Sequence, residues 1–221
     1  MPFTIVRQDI TKMKVDAIVN AANTELKMGG GVCGTIFEAA GTIELQAACD
    51  KLAPIQTGDA VITPGFGLPA KFVVHTAGPV YRGGKSGERE QLRSCYLNSL
   101  KRAMENKCES IAFPLISSGI YGYPKDEALR IATGAIHDFL RDHELEVYLA
   151  VFDKAAFTVS EKLIGEVPAI LMSIKRFPDS NRPKYQVFIT DLSYEHLIFY
   201  LTMLEMSACS IRLCRNAENS T

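Results

Sequence analysis

The sequence predicts an α/β protein. Three observations carry this: short β-branched runs alternate with longer stretches of helical period, several of the short runs are apolar on both faces, and 221 residues of 47% hydrophobic content are enough to bury one core with an appendage left over.

Six runs read as strands: Phe3–Arg7, Ala17–Asn20, Ala60–Thr63, Phe72–Thr76, Ser110–Leu115 and Val147–Phe152. In IAFPLI and VYLAVF no polar face alternates with the apolar one, the pattern of strands covered by helices on both sides of a sheet. Between them, Leu92, Tyr96, Leu100, Ala103 and Met104 recur at spacings of three and four, as do Leu129, Ala132, Ile136, Phe139 and Leu140. Both sets predict amphipathic helices packed on the sheet. Pro124 is placed for the first turn of the second helix, and Gly87 with the GGKS before it marks a loop ahead of the first.

The domain is expected to span residues 1–166, with a short C-terminal extension over 167–221. There AILMSI leads into the polar, proline-bearing FPDSNRP, which reads as a linker or long turn. A strand over Tyr185–Thr190 and a helix from Tyr194 to about Met206 follow in the pattern, the helix with one apolar stripe of Tyr194, Leu197, Ile198, Leu201 and Leu204. No chemistry is visible in that stretch.

Charge excludes some functions. Lys and Arg number 24 against 25 Asp and Glu, with no basic run, which argues against a protein that coats nucleic-acid backbone. No apolar run approaches the roughly 20 residues of a membrane span, and MPFTIVRQDI is not a secretion signal, so the expected location is the cytoplasm. The six cysteines (Cys33, Cys49, Cys95, Cys108, Cys209 and Cys214) form no CxxC pair, which argues against a metal site and a disulfide framework. No cofactor is implied.

Candidate chemistry sits where strands end. In open α/β sheets ligands bind outside the carboxyl ends of the strands. After the second strand, NAANTELKMGGGVCG contains Asn23 and then Gly29, Gly30 and Gly31 leading into a helix at Val32 and Cys33. Glycines let backbone N–H groups approach a ligand closely, and a helix N-terminus favours negative charge. A triple glycine is equally the mark of a flexible turn. After the fifth strand, Ser117, Ser118, Gly119, Ile120 and Tyr121 form a loop that can turn several N–H groups toward one anion such as a diphosphate. It has no lysine, which argues against NTPase or kinase chemistry. Asp9 ends the first strand and Phe152 the last: a carboxylate to accept from an exocyclic amine and a ring to stack on a base, or else an ordinary N-cap and core residue.

In order and spacing, QDITKMKVDAIVNAAN, GGGV, HTAGP (His75 to Pro79), SIAFPLISSGIYGYP and VFD resemble the macro domain family over about residues 1–166. The resemblance implies a three-layer α/β/α fold with a six-stranded mixed sheet and a cleft for ADP-ribose. By that likeness Asp9 and Ile10 hold the adenine, Phe152 stacks on it, and the backbone of Ser118 to Tyr121 cradles the diphosphate. Asn23 and Gly29 to Val32 meet the distal ribose. His75 carries no catalytic role and reads as a histidine within the sheet.

Many members of that family hydrolyse a bond at the distal ribose, releasing ADP-ribose from protein side chains or acetyl from O-acetyl-ADP-ribose. One hydrolase branch has GGGVDGAIHRAAG, whose aspartate helps to position or activate water. Here Cys33 stands at the aspartate and Phe37 at the histidine. Other members lack the acid and use the substrate's own phosphate on the water, and the likeness to them implies that Asn23 orients the distal ribose. The expected function is therefore binding of ADP-ribose with hydrolysis of its derivatives, among them O-acetyl-ADP-ribose and ADP-ribosylated protein. The alternative is a reader of ADP-ribose without turnover.

Overall fold

The computed structural model describes residues 3–151 and, further along, three strands at 174–176, 185–189 and 212–215. The chain divides into two compact units, Met1–Ser160 and Glu161–Thr221.

In the first unit the chain runs β1 (Phe3–Val6), a 3-10 turn (Ile10–Lys12), β2 (Ala17–Ala22), α1 (Val32–Ala40), α2 (Thr42–Cys49), β3 (Ala60–Pro64), β4 (Phe72–Ala77), α3 (Glu88–Glu105), β5 (Ser110–Pro114), α4 (Lys125–Leu140) and β6 (Glu146–Ala150). The strands lie in the order β1-β6-β5-β2-β4-β3. All neighbours are parallel except β3 against β4, where Ala60 faces Thr76 and Pro64 faces Phe72. This is the six-stranded mixed sheet of the sequence reading, with α1 and α2 on one face and α3 and α4 on the other.

Alternation along the strands assigns the faces. Ile18 and Ala22 of β2, Val73 and Ala77 of β4 and Ala112 of β5 join Ile36, Phe37, Leu45 and Cys49 in one core. On the other face Phe113 of β5 meets Tyr96 of α3, ring centroids 5.2 Å apart. Of the predicted helical stripes, Leu92, Tyr96, Leu100, Ala103, Leu129, Ala132, Ile136 and Phe139 are buried. Pro124 is the N-cap of α4 rather than a residue of its first turn. The sequence pattern did not single out α2, whose buried residues are only Leu45 and Cys49.

At the amino ends of the strands Asp16 ties three of them together. Its Oδ2 accepts from the N–H of Glu109 (2.9 Å) and Ser110 (3.2 Å), its own N–H donates to Ser110 Oγ (2.9 Å), and Lys71 Nζ lies 2.6 Å from Oδ1. Those donors, Lys71 foremost, hold its carboxyl below the usual range.

In the second unit Ile174–Arg176, Tyr185–Ile189 and Arg212–Arg215 form a sheet of β7, β8 and β9, antiparallel between the first two and parallel between the last two. The strand expected from Tyr185 is there; the helix expected from Tyr194 lies outside the described residues.

His75 is wholly buried in the middle of the sheet. Asn20 Nδ2 lies 3.1 Å from its Nδ1, and Thr63 Oγ1 lies 2.9 Å from its Nε2 while donating onward to Pro64 O. That chain of donors suits the neutral ring protonated on Nε2, and burial lowers the pKa to about 4. The unfolded chain takes up a proton near its ordinary value and the folded chain does not. Stability therefore falls as pH drops through the interval from about 6.5 to about 4, by roughly 3 kcal/mol in all, and the loss levels off below it. Urea unfolding at about pH 7 and about pH 4.5 checks this: the wild-type midpoint should drop, and a folded His75→Gln protein should lose much less over the same interval. Equal wild-type midpoints contradict it.

Candidate functional site

The loops after β1, β2, β4 and β5 rise from the same edge of the sheet, because these strands run parallel. Their mutual contacts build a cleft.

After β2, Asn23 closes a tight turn on Lys27. Its Oδ1 accepts from Lys27 N–H (3.1 Å) and its Nδ2 donates to Lys27 O (2.8 Å), while Leu26 adopts a positive φ of 51°. One hydrogen on Nδ2 and one lone pair on Oδ1 remain beyond those two bonds. The turn brings Gly29 back: a Cβ added there would stand 3.8 Å from Asn23 Nδ2 and 3.9 Å from Cys33 Sγ. Asn23, Gly29 and Cys33 thus share one corner. The glycine segment lies flat on α1, since a Cβ on Gly34 would stand 2.7 Å from the Gly29 carbonyl oxygen. Gly31, at φ 62° and ψ −140°, is the N-cap of α1, a conformation that favours glycine.

Cys33 is buried, with Sγ 4.0 Å from Lys27 O. Phe37 is buried as well, its ring edge-on to His75 at 6.4 Å. Neither position presents an acid or an imidazole.

After β5 the chain turns at Ser117, which holds a positive φ of 62°. Tyr123 N–H donates to Ser117 O (3.0 Å), Gly122 N–H to Gly119 O (3.0 Å) and Ser118 Oγ to Leu115 O (2.8 Å). These bonds curl residues 117–123 and leave the N–H groups of Gly119, Ile120 and Tyr121 with no acceptor among the described residues. Ser117 Oγ is buried and likewise meets no partner among them. Ile120 is 79% exposed, yet its Cδ1 would be only 3.1 Å from a Cβ on Gly30. The two loops face each other across that contact.

Sequence reasoning had passed over the support behind the second loop. Gly78 follows β4 and packs on it: a Cβ there would collide with Ser117 Oγ and stand 2.8 Å from Ile116 Cγ2. Tyr81 N–H donates to Tyr121 O at 2.9 Å, and the rings of Tyr81 and Tyr123 lie 4.8 Å apart. The signal was the HTAGP stretch, legible there only as a family resemblance.

At the far side of the sheet Asp9 caps the 3-10 turn. Its Oδ1 accepts from Thr11 N–H (3.0 Å) and Thr11 Oγ1 (2.7 Å), and Oδ2 lies 3.6 Å from Lys12 Nζ. Thr11, then Lys12, hold the carboxyl below the usual range. Ile10 beside it is buried. Phe152 lies outside the described residues.

A separate concavity of about 260 Å³ lies between α3 and β3, bordered by Asp59, Asn98, Lys101 and Arg102. Arg102 there is committed to Ala60 O (2.9 Å) and Glu105 (2.8 Å), and Asn98 Nδ2 to Gly58 O (2.8 Å). Arg102 and Asn98 are thus engaged internally, which leaves Lys101 as its uncommitted cation among the described residues.

The chain matches the family model described as Macro domain over residues 19–132. It is 47% identical over 168 residues to a protein of Escherichia coli named O-acetyl-ADP-ribose deacetylase, a match covering 73% of this chain and 94% of that one. It is 47% identical over 167 residues to ADP-ribose glycohydrolase MACROD2 of Mus musculus, covering 74% of this chain and 35% of the longer relative. Among solved structures, the macrodomain of Oceanobacillus iheyensis with ADP superposes with a TM-score of 0.71 at 40% identity, covering 76% of this chain and 93% of that one.

The Gly29–Gly34 contact makes a prediction about the cleft by itself. Gly34→Ala sets a methyl against a backbone carbonyl, so the glycine segment must shift, at a cost of about 1–3 kcal/mol. Amide NMR spectra should show the displacement at Gly29 to Gly31, with a lowered Tm. Unchanged amides in that segment would mean that α1 moves instead.

Proposed function

Since the chain belongs to the macro domain family, we propose that its cleft binds ADP-ribose and that the protein hydrolyses ADP-ribose derivatives at the distal ribose. The observation that carries this is the closure of the two loops on each other, Gly30 against Ile120, with the N–H groups of Gly119, Ile120 and Tyr121 uncommitted. Uncommitted N–H groups on one loop, facing the glycine segment at the start of α1, suit a diphosphate, which spreads its charge over several acceptor oxygens. The relatives' names support the identity of that ligand, one a deacetylase of O-acetyl-ADP-ribose and another a glycohydrolase of ADP-ribose.

The proposed roles follow the sheet edge. Asp9 keeps Oδ1 for Thr11 and offers Oδ2 to the amine of adenine, with Ile10 beneath the base and Phe152 stacked on it. Ser117 to Tyr121 hold the diphosphate. Gly29, Gly30, Gly31 and Val32 with Asn23 and Cys33 surround the distal ribose, where the spare hydrogen and lone pair of Asn23 meet a ribose hydroxyl. Water adds to the carbonyl carbon of the ester, the bond from that carbon to the ribose oxygen breaks, and the water proton passes by way of a diphosphate oxygen to the leaving ribose oxygen. Asn23 contributes orientation in this scheme, and Cys33 lines the wall.

The buried Cys33 and Phe37 favour a second reading, an ADP-ribose reader without turnover. Incubation with O-acetyl-ADP-ribose and with mono-ADP-ribosylated protein decides between them: release of acetate or ADP-ribose supports the hydrolase, and tight ADP-ribose binding without release supports the reader.

Asp9→Asn keeps an oxygen for Thr11 but turns the other position from acceptor to donor. The fold should stand while ADP-ribose affinity falls about ten- to a hundredfold by calorimetry. Unchanged affinity would remove Asp9 from the adenine site.

Asn23→Ala should lower turnover by roughly an order of magnitude or more, and Cys33→Ala should change it little. Because Asn23 also fixes Lys27, ADP-ribose affinity must be read alongside: affinity kept within a few-fold with turnover lost marks orientation. Loss of all turnover in Cys33→Ala, with alkylation blocked by ADP-ribose, would make the thiol a nucleophile instead.

A further inference from the structure

The strand order β1-β6-β5-β2-β4-β3 also sets the order of what lies along the carboxyl edge. Asp9 follows β1, the proposed diphosphate loop follows β5, and the glycine segment with Asn23 follows β2. The next strand along is β4, and residues 78–87 follow it. With adenine at the β1 end and the distal ribose at β2, a group attached to that ribose leaves the cleft toward this segment.

From Pro79 to Arg89 the sequence is PVYRGGKSGER, with three cations and one carboxylate. Arg82, Lys85 and Arg89 are all exposed, and their side chains have no ion-pair or hydrogen-bond partner among the described residues. Glu88, in contrast, is 2% exposed. Its carboxylate accepts from the N–H groups of Arg82 (3.0 Å), Gly84 (3.3 Å) and Ser86 (2.6 Å). Its own N–H, then that of Ser86, hold its carboxyl below the usual range. Gly83, Gly84 and Gly87 have positive φ, which lets the chain wrap round that carboxylate.

This architecture decides what the segment can recognise. Glu88 is consumed inside the loop and does not neutralise Arg82 and Lys85; the next acid, Glu90, is exposed and follows Arg89 in the first turn of α3. Three of the loop's N–H groups, those of Arg82, Gly84 and Ser86, point inward at Glu88, while the long side chains of Arg82 and Lys85 are exposed. Compact phosphate is best held by converging donors; cations spaced along a loop, as at positions 82 and 85, suit carboxylates spaced along a polypeptide. The loop is also anchored to the cleft, through Tyr81 N–H to Tyr121 O.

We propose that the loop bearing Arg82 and Lys85, with Arg89 behind it, docks a carboxylate-rich polypeptide segment flanking the side chain that carries ADP-ribose. The proposal rests on the reading of the cleft given above. Docking of this kind is electrostatic, adds affinity for the attached protein and none for free ADP-ribose, and weakens with salt.

The test uses the full chain and three probes: free ADP-ribose, ADP-ribose joined by a non-hydrolysable link to a peptide with glutamates on both sides, and the same peptide with alanines. Wild type should bind the glutamate-flanked peptide about tenfold more tightly than the alanine-flanked one at low salt, with the difference shrinking at high salt. Arg82→Glu/Lys85→Glu should erase or reverse that preference while free ADP-ribose binds as before. Equal affinity of wild type for the two peptides, or a double variant that keeps the preference, overturns the docking proposal while binding of free ADP-ribose leaves the cleft assignment intact. A preference for an ADP-ribose dimer over both peptides, lost in the double variant, also overturns it, because the loop would then read phosphate. Failure of wild type to bind free ADP-ribose overturns the cleft assignment and the docking proposal together.

Discussion

The constraint on which the glycine side of the cleft depends is steric: the carbonyl of Gly29 rests against the α-carbon of Gly34, where a Cβ would come within 2.7 Å of it. That contact presses the glycine segment onto α1 and sets the height of the cleft floor. Everything nearby depends on it. Gly30 is carried to Ile120 of the opposite loop, Gly29 to the carboxamide of Asn23, and Gly31 to the left-handed conformation that starts the helix. A loop held this way presents backbone donors without reorganisation, which is the condition under which such donors bind anions well.

The rest of the domain holds the two loops at fixed separation. Parallel β2 and β5 are neighbours, so the segments that follow them emerge side by side. Asp16 ties the opposite ends of these strands and of β4 by charge-assisted bonds, and neutral His75 stitches Asn20 to Thr63 through the sheet's middle. Gly78 and Tyr81 brace the second loop from the β4 side. Rigid strands thus carry irregular loops whose shape is fixed by their own hydrogen bonds and by contacts between neighbouring segments.

Much of the architecture was legible in the sequence because it rests on periodicity. Apolar runs such as IAFPLI exposed the buried parallel strands, and the stripe from Leu92 to Ala103 exposed α3. The two loops were legible as glycines and serines after strands. The bonds that shape them were not, because they join residues by geometry that no spacing reveals: Asn23 gives two of its hydrogen bonds to Lys27, Asp9 gives one oxygen to Thr11, and Tyr81 reaches Tyr121 across 40 positions. Helix α2 escaped notice because only Leu45 and Cys49 of it are buried, too few to make a stripe. Glu88 opens α3, and that its carboxylate is also the buried centre of the loop before the helix is another thing no spacing reveals.

Every role proposed for the cleft depends on where ADP-ribose binds. An amide NMR titration of the full chain with ADP-ribose measures that directly, residue by residue. Saturable shifts should concentrate at Gly29 to Cys33 and Ser118 to Tyr121, with a smaller set at Ile10 and Thr11. Shifts centred on Asn98, Lys101 and Arg102, in the concavity between α3 and β3, or no saturable shifts at all, would contradict that placement.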